Sequence, residues 1–251
     1  MSLAARLARG PVFLGWSEIA SPAVVALMAR AGHDALLLDQ QHGGHDSATC
    51  RACIGEAALA GVPALVRVKV GDFAEAARML DAGAAGIVAP MIDTAEEAAR
   101  FVREVKYPPL GARSWGPGRA VQIAGLSAPD YFATATAETL VIAMVETRAA
   151  FDGLEALLAV PGLDGILVGP ADLSLALTGR IDPMGAEMRR VMAEVGARAR
   201  AAGRLACAFA GTPARARELV AEGYGLVSVA YDSLVVAEGF AAALSAARDA
   251  P

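Results

Sequence analysis

An apolar run, Leu36-Leu37-Leu38, stops on Asp39, and His42 follows three residues later. A carboxylate and an imidazole delivered together at the end of a buried strand is how α/β enzymes present acid–base chemistry. Three further apolar runs end the same way. Leu65-Val66 stops on Arg67, Ile142-Ala143-Met144-Val145 on Glu146, and Ile166-Leu167-Val168 on Gly169-Pro170-Ala171-Asp172. Glu146 and Asp172 follow consecutive strands, so both can reach one cation. Two protein carboxylates leave the rest of an octahedron to water or substrate, the usual arrangement for Mg²⁺. Arg67, closing a short apolar strand, needs an anionic partner, and its guanidinium suits a 2-oxo acid or a developing enolate oxygen. His42 beside Asp39 forms an oriented base in which the carboxylate fixes the imidazole tautomer.

Each of these groups also has a plainer reading. Glu146 can pair with Arg148, Asp172 can cap a short helix, Arg67 can salt-bridge to Glu146 or Asp39, and His42 can sit on a surface loop. His33 and His45 lie in polar turns and are expected to be structural or solvent-exposed. His42, His45, Cys50 and Cys53 have the spacing of a zinc site, but Asp46-Ser47 already starts a helix that carries both cysteines inward. Lys69 and Lys106 are the only lysines. Lys69 falls past the apolar part of its strand, where a solvated amine is expected rather than a Schiff-base nucleophile.

The elements that must position these residues are read from periodicity. Strand-length apolar runs at 12–16, 35–39, 63–68, 86–90, 139–145, 165–168, 205–210 and 226–230 alternate with helical patterns. The helices fall near 22–31, 47–60, 72–82, 94–105, 149–159, 185–202, 213–222 and 232–248, after a short amphipathic helix at the N-terminus. Ser21-Pro22, Asp46 or Ser47, and Thr94 with Glu97 supply helix starts. Eight β-then-α units in 251 residues predict a (β/α)₈ TIM barrel spanning 1–251 as one domain. A doubly wound sheet is the alternative, but no G-x-G-x-x-G follows the first strand. The one long break, 107–138, is expected over the catalytic face as a lid or a subunit contact.

Composition narrows the class. Hydrophobic residues make up 55% and charged residues 20%, so a large core is available and disorder is not expected. A formal net charge of −5 without a basic stripe argues against nucleic-acid binding. No apolar run approaches the roughly 18 residues of a membrane span, and the N-terminus lacks a signal-peptide core. Three cysteines fit a reducing cytoplasm rather than a disulfide scaffold.

Taken together, Asp39/His42, Arg67, Ala89-Pro90-Met91, Tyr107-Pro108-Pro109-x-Gly111-x-Arg113, Glu146-Thr147-Arg148 and Gly169-Pro170-Ala171-Asp172-Leu173-Ser174 resemble the HpcH/HpaI aldolase family. The resemblance covers nearly the whole chain. It implies a barrel assembled as a homo-oligomer, typically a hexamer with an exchanged C-terminal helix. It also implies cleavage of 4-hydroxy-2-oxo acids to pyruvate or a related 2-oxo acid and an aldehyde, with Mg²⁺, Mn²⁺ or Co²⁺. By position, Glu146 and Asp172 would be the metal ligands, and Arg67 would bind the oxo oxygen. His42, supported by Asp39, would move the aldol proton, and amides at Gly169, Ala171 and Asp172 would receive the substrate carboxylate. The chain departs from the common pattern at Met144, where many members have Gln, at Gln40-Gln41, and at Ser114. A CoA-ester lyase and a non-catalytic 2-oxo-acid-binding barrel are the alternatives; the former would need basic residues for its nucleotide, and only Arg113 and Arg119 offer themselves.

Overall fold

The computed structural model describes residues 1–248. Eight parallel strands close into a barrel in sequence order: β1 (Val12–Ser17), β2 (Ala35–Asp39), β3 (Ala64–Arg67), β4 (Gly86–Ala89), β5 (Leu140–Val145), β6 (Gly165–Val168), β7 (Leu205–Ala208) and β8 (Leu226–Tyr231). β8 pairs back onto β1, so the expected (β/α)₈ architecture is what forms. The expected helix starts also form. Asp46 and Thr49 make a capping box for Ser47–Leu59, Thr94 and Glu97 make another for Ala95–Val105, and Ser21 caps Pro22–Arg30. Among the described residues no helix is long and apolar enough to cross a membrane.

The alternation of each strand divides the core in two. Leu14, Trp16, Leu37, Leu65, Ile142, Met144 and Leu167 point inward and fill the barrel. Leu36, Leu38, Val66, Val141, Ala143 and Ile166 point outward and meet the helices. Continuing the inward parity by one step explains the site. Asp39 follows Leu37, Arg67 follows Leu65, Glu146 follows Met144, and Gly169 follows Leu167, so all four arrive at the C-terminal mouth. Asp39 and Arg67 are direct register partners across β2 and β3.

The 107–138 segment lies elsewhere than the sequence predicts. It carries two helices, Gly118–Ala124 and Ala128–Glu138, and sits under the N-terminal floor of the barrel. The physical reason is direction: Ala95–Val105 has already returned the chain to that end before the segment begins, and β5 starts from there. Lys106 marks the spot. Its buried ammonium donates to the carbonyls of Thr136 at 2.7 Å and Thr139 at 2.6 Å and pairs with Asp164 at 2.9 Å. Arg113 bonds Asp81 at 2.5 Å and stacks 4.5 Å over Tyr107. Between segment and floor lies a cavity of about 430 Å³, lined by Leu3, Ile54, Ala84, Ile123 and Leu126 among others. A lid over the mouth is therefore not what this segment forms.

The C-terminal helix, Asp232–Arg248, is anchored at its root against β1 and β8. Among the described residues it makes no extended contact with Pro22–Arg30 or Pro213–Ala221, the flanking helices of the ring.

Candidate active site

Asp39 is fully buried at the end of β2. Arg67 grips it with two bonds, Nε to Oδ1 at 2.9 Å and Nη2 to Oδ2 at 2.5 Å. Trp16 Nε1 donates to Oδ2 at 3.3 Å, and the amides of Gln41 and His42 donate to Oδ1 at 2.9 and 3.3 Å. A carboxylate offers roughly four lone-pair sites, and these donors fill them. The expected pairing of the Asp39 carboxylate with the His42 ring is therefore not formed. Asp39 orients the Arg67 guanidinium and the His42 backbone instead, while His42 itself is exposed at the mouth. Burial alone would raise the Asp39 carboxyl; the Arg67 bonds and charge outweigh it and hold the group below the usual carboxylate range.

The salt bridge offered as Arg67's plainer reading is thus real, with Asp39 as partner, and it does not exhaust the side chain. Arg67 Nη1 meets the Met144 sulfur at 3.8 Å, a weak acceptor, and the guanidinium lies 4.9 Å over the Trp16 ring. That edge retains hydrogen-bonding capacity for a substrate oxygen. Trp16 is a site residue the sequence reading passed over. The signal was present, since Val12, Leu14 and Trp16 alternate inward and the last of them brings an N–H to the mouth.

Glu146 is buried just past β5, and neither plainer reading of the carboxylate pair survives. Its Oε1 accepts from the Met91 amide at 2.7 Å, while Arg148 donates to the Leu177 carbonyl at 3.0 Å. Its Oε2 is buried with no hydrogen-bond partner. Gly169 makes room for that oxygen, because a Cβ there would lie 2.8 Å from it. Burial raises the Glu146 carboxyl above its ordinary value, with Asp172 and Asp93 adding to the rise and the Met91 amide and Arg67 opposing it. Asp172 lies in the first turn of Pro170–Thr178 and is not its cap. The cap position is Gly169, which supplies no side chain, so the first-turn amides of Ala171 and Asp172 have no side-chain partner.

An orphaned buried carboxylate oxygen, a second carboxylate near enough to raise its pKa and an all-oxygen donor set fit a hard divalent cation. Among the described residues no group of three or more His, Cys, Asp or Glu is placed to hold a metal, so any cation here relies on two carboxylates. The zinc-like spacing does not assemble. Cys50 and Cys53 are buried in Ser47–Leu59, and burial pushes both thiols up, Cys53 to about 11. Lys69 is exposed beyond β3, as expected.

His45 follows the structural of its two expected readings, and it is buried. Ser17 Oγ donates to Asp232 Oδ2 at 2.9 Å, so the His45 Nε2 that lies 3.0 Å from the same hydroxyl must be the donor there. Asp232 also accepts from the Glu18 amide at 2.8 Å. This buried chain ties the root of the C-terminal helix to β1 and to the loop that carries His42.

The sequence profile of the HpcH/HpaI aldolase/citrate lyase family matches residues 13–238. The chain belongs to that family. It is 35% identical over 224 residues to the hydroxypyruvate/pyruvate aldolase of Rhizorhabdus wittichii, covering 88% of each protein. It is 39% identical over 178 residues to the 4-hydroxy-2-oxovalerate aldolase of Novosphingobium aromaticivorans, covering 69% of this chain and 66% of that one. The crystal structure of an HpcH/HpaI aldolase/citrate lyase family protein from Burkholderia cenocepacia superposes with a TM-score of 0.87 at 31% identity, over 98% of this chain and 99% of that one. The family and the two relatives named as aldolases support a lyase.

Proposed function

We propose that the chain is a metal-dependent aldolase that cleaves 4-hydroxy-2-oxo acids to pyruvate, or a related 2-oxo acid, and an aldehyde. The observation that carries this reading is Glu146 Oε2, a carboxylate oxygen buried without a partner beside Gly169 and under the charge of Asp172. Such an atom costs free energy unless something binds it. Glu146 and Asp172 would hold Mg²⁺, Mn²⁺ or Co²⁺. When bound, the cation acts as a Lewis acid toward the carboxylate and oxo group of the 2-oxo acid.

The chain's own groups supply the rest. The uncapped amides of Ala171 and Asp172 at the start of Pro170–Thr178 receive the substrate carboxylate, as a helix N-terminus favours. Arg67, held rigid by Asp39 and stacked on Trp16, turns its Nη1 edge to the oxo oxygen, where negative charge grows as the C3–C4 bond breaks. An interaction that strengthens only as that charge appears lowers the barrier. His42, exposed at the mouth, takes the proton of the 4-hydroxyl directly or through water. Asp39 positions His42 through its backbone amide at 3.3 Å. The relatives named as hydroxypyruvate/pyruvate and 4-hydroxy-2-oxovalerate aldolases support the 2-oxo acid half of the substrate.

We place the protein in the reducing cytoplasm, on three buried free cysteines, and as a homo-oligomer with a hexamer favoured. The test is pyruvate release from a 4-hydroxy-2-oxo acid before and after exhaustive EDTA treatment. Activity should vanish, return with Mn²⁺, and be absent in Glu146→Ala and Asp172→Ala; full activity without metal would sink the reading.

A further inference from the structure

Met91 is, among the described residues, the one non-glycine with a positive φ, at +54°. A long L side chain is uncommon in the left-handed region, and where one persists there the surroundings must hold it. Its own side chain does not: Met91 is 40% exposed. The clamp is on the backbone. Pro90 follows β4 without an N–H to offer, so Met91 carries the first free amide past the strand, and that amide meets Glu146 Oε1 at 2.7 Å. Two residues on, Asp93 Oδ1 accepts from Thr147 Oγ1 at 2.5 Å, fastening the same loop to the residue after Glu146. Buried Ile92 lies between the two fastenings.

We infer that Met91 is a positioning residue whose left-handed turn aims its N–H at Glu146 Oε1, so that Oε2 alone is presented to a divalent cation. The inference rests on the reading of Glu146 as a metal ligand. A carboxylate free to rotate would offer either oxygen, or both, and would lose order on binding. With Oε1 engaged and Oε2 lodged beside Gly169, the donor is set before the cation arrives, as outer hydrogen bonds do for metal ligands elsewhere.

The experiment measures Mn²⁺ affinity by electron paramagnetic resonance of the free ion, with thermal melting of each apo protein alongside. Asn and Gly enter the left-handed region readily, whereas a β-branched residue resists it. Met91→Asn and Met91→Gly should therefore bind Mn²⁺ within a few-fold of wild type, and Met91→Val should bind about 10- to 100-fold more weakly, the usual cost of losing an outer-shell partner. Met91→Val binding as tightly as Met91→Asn, while Glu146→Ala abolishes binding, would overturn the positioning role alone. Unchanged Mn²⁺ binding in Glu146→Ala would overturn the metal-ligand reading and this inference with it.

A second measurement needs no folded Val variant. In wild type enriched with ¹⁵N-methionine, the Met91 amide signal, assigned by its loss in Met91→Asn, should shift when Mg²⁺ is added and move again in Glu146→Gln. A Met91 amide indifferent to both would refute the inference.

Discussion

Arg67 shows how much one side chain carries. Its fork binds Asp39 through Nε and Nη2, its face lies on Trp16, and its Nη1 edge is left for substrate. Arg67→Lys keeps the charge and loses the fork, so the Asp39 carboxylate and the substrate would compete for a single ammonium. Turnover should fall on the order of 10²-fold or more, by comparison with removing an oxyanion donor. A variant within a few-fold of wild type in steady-state kinetics would reduce Arg67 to the partner of Asp39. His45 gives a second, independent handle. Burial holds its pKa below the ordinary 6.5, against the pull of Asp232, Asp39 and Asp46. As pH falls the unfolded chain takes up the proton first, so this contribution to stability is complete above 6.5 and declines between 6.5 and the lower folded pKa. Thermal melts between pH 8 and pH 5 should lose stability faster in wild type than in His45→Gln. Parallel slopes would show that His45 titrates alike in both states.

At the scale of elements, the strands were legible because each is a short apolar run with punctuation, and the inward parity carried Asp39, Arg67, Glu146 and Gly169 to one mouth. What the sequence hid was which end of the barrel a segment belongs to. The length of the 107–138 break suggests a lid, but the helix Ala95–Val105 carries the chain to the floor before the break begins. It also hid the saturation of Asp39, since nothing in Asp39-Gln40-Gln41-His42 reveals that Arg67, Trp16 and two amides would claim the carboxylate before the imidazole could. Met91 was illegible for the same kind of reason: its backbone acts, and its side chain does not. Lys106, just before the Tyr107-Pro108-Pro109 turn, fastens the floor segment to β5 and to the turn before β6. Lys106→Ala would strand two carbonyls and Asp164. Breaking a fully buried pair costs about 3–5 kcal/mol. Asp164, at 31% side-chain exposure, recovers part of its hydration, so the expected loss is about 2–3 kcal/mol. Urea denaturation monitored by tryptophan fluorescence would measure it; a loss below about 0.5 kcal/mol, the range of an ordinary surface substitution, would mean the floor does not depend on this fastening.

For the whole molecule, the eighth helix is the part that does not close. Seven β-then-α units return to the ring, but Asp232–Arg248 leaves it after one anchored turn. Asp232 fixes its root through Ser17 and the Glu18 amide, so the departure is built into the barrel mouth. Beyond the root, Val236, Phe240 and Leu244 recur every fourth residue and form one stripe, with Phe240 74% and Leu244 51% exposed. A lone exposed leucine needs no explanation, whereas an aligned apolar stripe on a projecting helix marks a surface that another chain covers. A second copy of this chain is the partner we propose. In each copy the eighth helix makes no extended contact with Pro22–Arg30 or Pro213–Ala221 of its own barrel, so an exchanged helix could pack there. Light scattering coupled to size exclusion should give wild type a mass that is a multiple of 25.6 kDa, six-fold for the hexamer. Phe240→Glu with Leu244→Glu would set two charges in the stripe and should yield smaller species with unchanged far-UV circular dichroism. A wild type that elutes as a single chain at micromolar concentration would leave the stripe without a partner of its own kind, and the assembly proposal would fail.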